Sequence, residues 1–173
     1  DGDTMTMAMQ SGELDAAYGL PYASLPLFAE KPYTISSVET SRSFFGQMNY
    51  DTPALQDEKV RKAIAMSIDK ENFTKTLLDG NGTAAEGPFP ANFAFGDDTV
   101  TAPKYNPEEA RKLLEEAGWK DSDGDGYVDK NGENLTIRWV TYPSRQELPL
   151  LAESVQATMK EVGIKEIGRA SCR

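Results

Sequence analysis

The clearest pattern of apolar and polar positions lies in LQDEKVRKAIAMSIDKENFTKTLL, residues 55–78. Apolar or small residues recur there at the three- and four-residue spacing of one helix face, namely Val60, Ala63, Ile64, Ser67 and Ile68. Asp57 and Asp69 precede the two halves, where an aspartate can accept hydrogen bonds from the first N–H groups of a helix. The pattern predicts two consecutive helices over 57–78, the second with Phe73 and Leu77 on its inner face.

Helices and strands are predicted to alternate along the rest of the chain. Helical spacing and helix-start residues predict further helices at residues 4–10, 22–29, 106–118 and 149–162. Runs of β-branched and aromatic residues predict strands at residues 14–18, 33–38, 43–49 and 135–142. Such alternation is typical of an α/β protein, in which helices pack on the faces of a sheet.

Several segments resemble, in order and spacing, those of one protein family. They are DGDTMTMAMQSGELDAAYG at the start, L-x-D-x-x-V-R-x-A-I-x-x-x-I-D-x-x-x-F from Leu55 onward, GTAAEGPFP, and YNPEEARKLLEEAGW from Tyr105 onward. The segment LTIRWVTYPSRQELPLLAESVQATMKEVGIK looks like the strand and helix that follow in that family. The chain thus resembles the large solute-binding proteins of ABC importers for oligopeptides, dipeptides, nickel and opine-type chelates.

The resemblance implies a fold of two lobes that close like a Venus flytrap. Residues 1–167 would form an incomplete lobe on the C-terminal side, with a mixed sheet and flanking helices. Residue 1 is Asp and no apolar segment resembles a signal peptide, so we expect an internal piece of an exported protein. Residues 168–173 turn basic and lose the alternation of a strand, and we interpret them as a non-native tail.

Composition narrows the classes of function. The net charge of −10 argues against nucleic acid, which attracts lysine and arginine, and equally against anionic membrane surfaces. The chain has no histidine, which removes the usual general base and the commonest metal ligand. Its one cysteine, Cys172, allows neither a disulfide nor a thiolate zinc site. We therefore expect a protein that is not an enzyme.

The acidic loop DSDGDGYVDKNGE suggests a calcium site. Its ligands at positions 1, 3, 5, 7 and 9 of a calcium loop would be Asp121, Asp123, Asp125, the Tyr127 carbonyl and Asp129. Position 12 is Gly132, so the closing bidentate carboxylate is missing, and a predicted strand follows instead of a second helix. The alternative is an Asp/Gly-rich β-hairpin between Trp119 and the strand at Leu135, with Asn131-Gly132 as a second turn signal, and both interpretations stay open.

Arg42, in the segment ETSRSFFGQMN, is the first candidate for contact with a ligand. A guanidinium offers a planar, permanently charged pair of donors to a carboxylate, and a neighbouring ring such as Phe44 adds a desolvated wall. By resemblance, this segment runs near the cleft between the lobes. Tyr18 and Tyr22 are further cleft candidates. The alternative for Arg42 is a surface arginine paired with Glu39 or another acid, and the alternative for the tyrosines is half-burial by packing.

Solute capture for an ABC importer is the function that the resemblance implies. Two lobes would close on a peptide, nickel or a metal chelate, and the closed monomer would deliver it to the membrane permease. The protein would lie outside the cytoplasm, in the periplasm or lipid-anchored, and would need no cofactor beyond a structural calcium. The alternative from another class is a calcium-dependent extracellular interaction module built around residues 121–133.

Overall fold

The computed structural model describes residues 1–90, 93–95, 100–142, 145 and 147–170, with residues 169 and 170 described by their backbone alone. Within these ranges the α-helices are α1 (Gly2–Ser11), α2 (Glu58–Met66), α3 (Lys70–Asn72), α4 (Pro107–Glu116) and α5 (Glu147–Glu161). The strands are β1 (Asp129–Lys130), β2 (Glu133–Asn134), β3 (Thr136–Thr141) and β4 (Lys165–Ala170). Shorter helical turns span Tyr22–Phe28, Pro53–Gln56 and Phe73–Leu77.

The helices predicted from the sequence are confirmed in place. The segment at 22–29 forms a 3-10 rather than an α-helix, and α5 begins at Glu147 rather than at residue 149. The side chain of Asp57 accepts a hydrogen bond from the N–H of Lys59 (2.8 Å), and that of Asp69 accepts one from Asn72 (3.0 Å). Both aspartates thus cap their helices as the pattern predicted.

The helices α2 and α4 pack against each other in the core. Val60, Ala63 and Leu114 are fully buried at this contact. The same cluster continues through Val155 and Met159 of α5, so one core joins the three helices. Burial of such apolar surface is the main favourable term in folding.

The prediction that Leu77 faces inward is wrong. Phe73 is buried, but Leu77 is exposed and Leu78 is buried in its place. The turn Phe73–Leu77 is a π-helix, in which the N–H of Leu78 bonds to the carbonyl oxygen of Phe73, 3.2 Å away. Because a π-turn contains one residue more than an α-turn, the residue stacked on Phe73 moves one position along the chain.

The strands β3 and β4 are parallel neighbours, and α5 connects them. Their register pairs Thr136 with Lys165 and extends to Thr141 paired with Ala170. The helix covers this pair through Val155 and Met159, which are buried. With the antiparallel pair β1–β2, the chain combines both kinds of strand pairing with flanking helices, as expected for the mixed α/β fold.

The hairpin interpretation of residues 129–134 is confirmed. Strands β1 and β2 pair antiparallel, and Asn131 and Gly132 form the turn with φ of 56° and 79°. Such positive values at both central positions are those of a type I′ turn. The N–H of Val128 donates to the carbonyl oxygen of Gly163 (2.8 Å), which ties the hairpin to the turn between α5 and β4.

The strands predicted at 14–18, 33–38 and 43–49 are wrong for this structure. These residues are not paired into a ladder, although the segment at 43–49 lies against β3, since a Cβ on Gly46 would be 3.3 Å from the Trp139 ring. A strand exists only where a second backbone accepts its hydrogen bonds. The β-branched and aromatic residues of these three segments therefore do not form a sheet within the described ranges.

The last residues continue β4 further than the sequence pattern suggested. Gly168 pairs with Trp139, and the ladder continues to Ala170. The interpretation of residues 168–173 as a non-native tail stays a prediction, and Cys172 lies outside the described residues. In the part of the chain that the structure describes, no helix is long and apolar enough to cross a membrane.

Candidate functional site

Tyr22 and Glu147 meet through side chains that are far apart in sequence. Tyr22 opens the 3-10 turn that follows Pro21, and Glu147 is the first residue of α5, just beyond the end of β3. The Tyr22 hydroxyl donates a hydrogen bond to Oε1 of Glu147 over 3.2 Å. Both side chains are half-buried, so the pair lies at the surface with part of each group open.

Arg42 is exposed and lies close enough to Tyr22 to affect its titration. Burial raises the pKa of the Tyr22 hydroxyl, the Glu147 carboxylate raises it further, and the positive charge of Arg42 lowers it. Among the described residues, no carboxylate oxygen lies within 4.0 Å of a terminal nitrogen of Arg42. The predicted alternative, a surface pair with Glu39 or another acid, is therefore not formed among these residues.

The two other candidate residues are placed differently from each other. Phe44 follows Arg42 by two positions and its ring is 38% exposed, while Tyr18 is 91% exposed. A ring as open as that of Tyr18 contributes almost no packing, so the alternative of half-burial does not apply to it. The structure thus joins Tyr22 to Glu147 by a hydrogen bond and leaves the Tyr18 ring open to solvent.

Glu147, which accepts the hydrogen bond from Tyr22, is a residue that the sequence did not single out. The helix was predicted to begin at residue 149, which left Glu147 in the preceding loop. Its partner Tyr22 is separated from it by most of the chain. The local signal that could have identified it is an acidic residue before an apolar helix, since such residues favour the first turn.

The charges around Tyr22 predict opposite pKa changes in two variants. Glu147→Gln is expected to lower the pKa of Tyr22, because it removes the negative charge and the ionic hydrogen bond that disfavour the phenolate. Arg42→Gln is expected to raise it, because it removes a nearby positive charge. Ultraviolet titration, with Tyr22→Phe to identify the Tyr22 component, measures both changes. A Tyr22 component that titrates identically in both variants would contradict the arrangement.

In the acidic loop, carboxylates converge without a closing ligand. One carboxylate oxygen from each of Asp121, Asp123 and Asp129 lies within 4.8 Å of the others. Asp125 is directed elsewhere, since its Oδ1 accepts from the N–H of Tyr127 (2.8 Å) and its Oδ2 from Asn134 (2.9 Å). Three carboxylates fall short of the six or more oxygens that calcium takes. A calcium ion bound here stays a prediction.

Backbone donors already hold the same carboxylates. Asp121 accepts hydrogen bonds from the N–H groups of Gly124 (2.7 Å) and Gly126 (3.1 Å). Asp129 accepts from both the N–H and the hydroxyl of Ser122, at 2.8 and 2.7 Å. Side chains of this kind, bonded to nearby backbone, form tight turns without an ion.

The hydrogen bonds to Asp129 predict a loss of stability in acid. They lower the pKa of its carboxyl, the Ser122 hydroxyl contributing most. Because the folded-state pKa lies below the unfolded value of about 3.9, the stabilisation is present above that pH and lost as pH falls through the folded value. Asp129→Asn is expected to flatten this acid slope in urea unfolding, and Ser122→Ala to flatten it in part. An unchanged slope in Asp129→Asn would contradict the assignment.

Comparison with known proteins gives a family match and similar proteins for this chain. Residues 1–166 match the family described as "Bacterial extracellular solute-binding proteins, family 5 Middle". The oligopeptide-binding protein AppA of Bacillus subtilis (strain 168) is 34% identical over 120 residues, which are 68% of this chain and 22% of that protein. The nickel-binding periplasmic protein of Escherichia coli (strain K12) is 25% identical over 168 residues, 94% of this chain and 32% of that protein.

A solved structure shows the same fold. NikA from Brucella suis in complex with Fe(III)-EDTA superposes with a TM-score of 0.85 and 27% identity, over 99% of this chain and 35% of that one. The chain therefore spans about a third or less of the length of these relatives. With the family match covering nearly every residue, the chain belongs to the bacterial extracellular solute-binding proteins of family 5.

Proposed function

We propose that this chain is part of one lobe of a protein that captures a solute outside the cytoplasm and delivers it to an ABC importer. The observation that carries the proposal is the superposition of 99% of the chain on NikA, a protein holding Fe(III)-EDTA. The solute would be a peptide, nickel or a metal chelate. This range follows the names of the relatives, which include an oligopeptide-binding and a nickel-binding protein.

The exposure of the candidate residues supports the proposal physically. Arg42 and Phe44 are exposed, and the hydrogen-bonded Tyr22 and Glu147 are half-buried, so charged, polar and aromatic groups are open to a ligand. A partial cleft of this kind binds weakly by itself, because half of the contacts come from the opposite lobe. Closure of the second lobe over the solute would remove the remaining water from around the solute.

Capture requires no covalent step. A solute that contacts both lobes only in the closed form shifts the equilibrium toward closure by its difference in affinity for the two forms. Moving that equilibrium from 1:99 to 99:1 takes about 5.5 kcal/mol. A few hydrogen bonds to charged groups, each about 1.5–3 kcal/mol, are sufficient. The absence of histidine from the chain agrees with a role in binding rather than catalysis.

The partners follow from the same proposal. The closed, monomeric protein would dock on the membrane permease of the importer. The net charge of −10 argues against nucleic acid as a partner. The alternative of a calcium-dependent interaction module is not supported, because the match to the solute-binding family covers residues 1–166 and so includes the acidic loop.

Native mass spectrometry with elemental analysis tests the function directly. The protein is expressed from its complete reading frame in a bacterial host and purified gently. We expect a discrete bound mass of peptide or chelate size that is lost on mild unfolding. Arg42→Gln should lower its occupancy, whereas Arg138→Gln, which replaces an exposed arginine of β3, should not. A clean unliganded mass, unchanged by peptide and nickel-chelate panels, would contradict solute capture.

The structural calcium is tested separately. Thermal unfolding is followed in calcium and in a chelator for the native sequence and for Asp123→Asn. A calcium-dependent rise in Tm that Asp123→Asn abolishes would establish the ion, since a ligand bound only by the folded state stabilises it. An equal Tm in calcium and in the chelator would mean that no calcium ion stabilises the loop, which its own hydrogen bonds then hold.

A further inference from the structure

We propose that Asn81, which precedes Gly82, is a site of spontaneous deamidation in the folded protein, whereas Asn131, which precedes Gly132 in the hairpin turn, is protected by the fold. The reaction needs only water as its second reactant. It would change the side chain that closes the end of the π-turn Phe73–Leu77. This inference goes beyond the proposed function and does not depend on it.

The chemistry lies within the Asn81-Gly82 pair itself. The backbone nitrogen of Gly82 loses its proton to hydroxide and attacks Cγ of Asn81; a C–N bond forms, the Cγ–Nδ2 bond breaks, and the nitrogen leaves as ammonia after taking a proton from water. One water then opens the resulting cyclic imide to aspartate or isoaspartate. The two reacting atoms are joined through few intervening atoms, so covalent geometry keeps them near each other. Glycine has no Cβ to hinder the attack.

Exposure to water does not distinguish the two asparagine–glycine pairs. Asn81 is half-buried, and Gly82, Asn131 and Gly132 are exposed. The pairs differ instead in how the backbone is held. The ring closes only when the peptide between the two residues rotates toward the side chain, so the rate depends on the free energy of local opening.

The hairpin holds the backbone around Asn131. Lys130 and Glu133 are paired on either side of the turn. The N–H of Val128 also donates to the carbonyl oxygen of Gly163 (2.8 Å), which ties the hairpin to the turn after α5. Rotation of the peptide after Asn131 would break the pairing that closes the turn. Asn131 is therefore expected to react only when the hairpin opens.

No strand pairing holds the backbone at Asn81. Within the described ranges, the N–H of Gly82 donates to no backbone oxygen. The side-chain amide of Asn81 donates to the carbonyl oxygens of Leu78 (2.9 Å) and Asp79 (3.3 Å). These bonds must break before the ring closes, but they join only near neighbours along the chain. A local opening of the loop is therefore sufficient.

The same two hydrogen bonds give the reaction a structural consequence. The Asn81 amide lies at the C-terminal end of the π-turn, where the last carbonyl oxygens carry partial negative charge. An aspartate has no N–H to donate, and its negative charge would repel these oxygens. Leu78, whose carbonyl accepts from Asn81, is itself buried. Deamidation is therefore expected to loosen the end of the turn.

Peptide mapping by mass spectrometry tests the site. The protein from its complete reading frame is kept in mildly alkaline buffer, folded or in urea, and then digested with pepsin in acid, which stops the reaction. A gain of one mass unit, located by fragmentation, reports deamidation. In the folded protein we expect Asn81 to react at least about tenfold faster than Asn131, which corresponds to about 1.4 kcal/mol. In urea the two rates should be similar, because neither backbone is held.

Gly82→Ala tests the attacking atom. The added Cβ would lie 3.4 Å from Cδ1 of Leu78 and 3.9 Å from Cγ2 of Thr74, which are ordinary van der Waals distances. The methyl group hinders the approach of the backbone nitrogen to Asn81, so the rate there should fall at least about tenfold. The rate at Asn131 in urea should not change. Circular dichroism and Tm verify that the variant is folded.

Asn81→Asp reproduces one product of the reaction. We expect its Tm to be lower by about 2–4 °C, the shift that loss of a typical hydrogen bond gives in a domain of this size. Asn81→Ala removes the same donors without adding a charge and should lower Tm by less. Asn131→Asp is the matched control for charge, since it is exposed and an Asp-Gly pair fits the same type of turn. It should leave Tm nearly unchanged.

The outcomes that would overturn the inference are distinct. Equal rates at Asn81 and Asn131 in the folded protein, or a reaction at Asn81 in urea alone, would contradict selection by the fold. An undiminished rate at Asn81 in Gly82→Ala would contradict attack by the backbone nitrogen. A Tm of Asn81→Asp equal to that of Asn131→Asp would contradict the closing role of the Asn81 amide. None of these results bears on solute capture.

Discussion

Leu114→Ala is expected to lower the free energy of unfolding by about 3 kcal/mol, within a range of about 2–5 kcal/mol. The side chain is 0% exposed and lies where α4 meets α2. Its removal loses the transfer free energy of the buried groups and leaves a cavity that fully packed neighbours cannot fill. For a domain of this size, the expected fall in Tm is about 6–12 °C.

Urea unfolding measures this change, with Leu150→Ala as the matched control. Leu150 is also on a helix, but its side chain is 39% exposed. Its replacement should change stability by no more than about 0.5 kcal/mol, as is usual for surface positions. Similar losses in the two variants would mean that the contact of α2 with α4 is not the stabilising centre of the fold.

Gly163→Ala is expected to destabilise the protein by about 2–4 kcal/mol. Gly163 has φ of +81°, a conformation that costs a residue with a Cβ about 1–2 kcal/mol. The added Cβ would lie 3.0 Å from Cγ1 of Val128 and 3.3 Å from its backbone nitrogen. The backbone contact cannot be relieved by a side-chain rotation, so the hairpin must move away from the turn after α5.

Gly12→Ala separates the cost of the positive φ from the cost of the close contact with Val128. Gly12 has a similar φ of +77°, but nothing lies within 4 Å of the position of its Cβ. Its substitution should therefore show the conformational cost alone, about 1–2 kcal/mol. If Gly163→Ala proves no worse than Gly12→Ala, close packing of the hairpin against Gly163 would be disproved.

The sequence predicted the helices because their determinants are local. The spacing of Val60, Ala63 and Ile64, together with Asp57 before them, lies within a few turns of chain. The hairpin turn at Asn131-Gly132 is equally local, since two residues determine its geometry. Strands at 33–38 and 43–49 were predicted wrongly because pairing depends on a second segment, which β-propensity does not specify.

The candidate site was predictable only in part. Arg42 and Tyr22 were chosen for their chemistry, and the positive charge of Arg42 lowers the pKa of Tyr22. Glu147 was missed because its approach to Tyr22 depends on how α5 leaves the end of β3. In the acidic loop, the spacing of the aspartates identified Asp121, Asp123 and Asp129 correctly as neighbours. It could not show that Asp125 is held by Asn134, because that contact exists only once the hairpin has formed.

The connection between the π-turn and α4 has an evolutionary consequence. Within its described residues, few side-chain hydrogen bonds join this segment to the helices before and after it: the Lys70 ammonium donates to the Ala85 carbonyl oxygen (2.7 Å), and the Tyr105 hydroxyl donates to Glu161 (2.9 Å). Others, such as that from the N–H of Ala102 to the Glu86 carboxylate (3.0 Å), lie within the segment itself. Doubling the length of a flexible loop costs only about 0.6 kcal/mol. Insertions and deletions here should therefore survive selection more readily than in the tight turns of the hairpin, so descendants of one ancestral lobe can diverge in length at this place while keeping the same core.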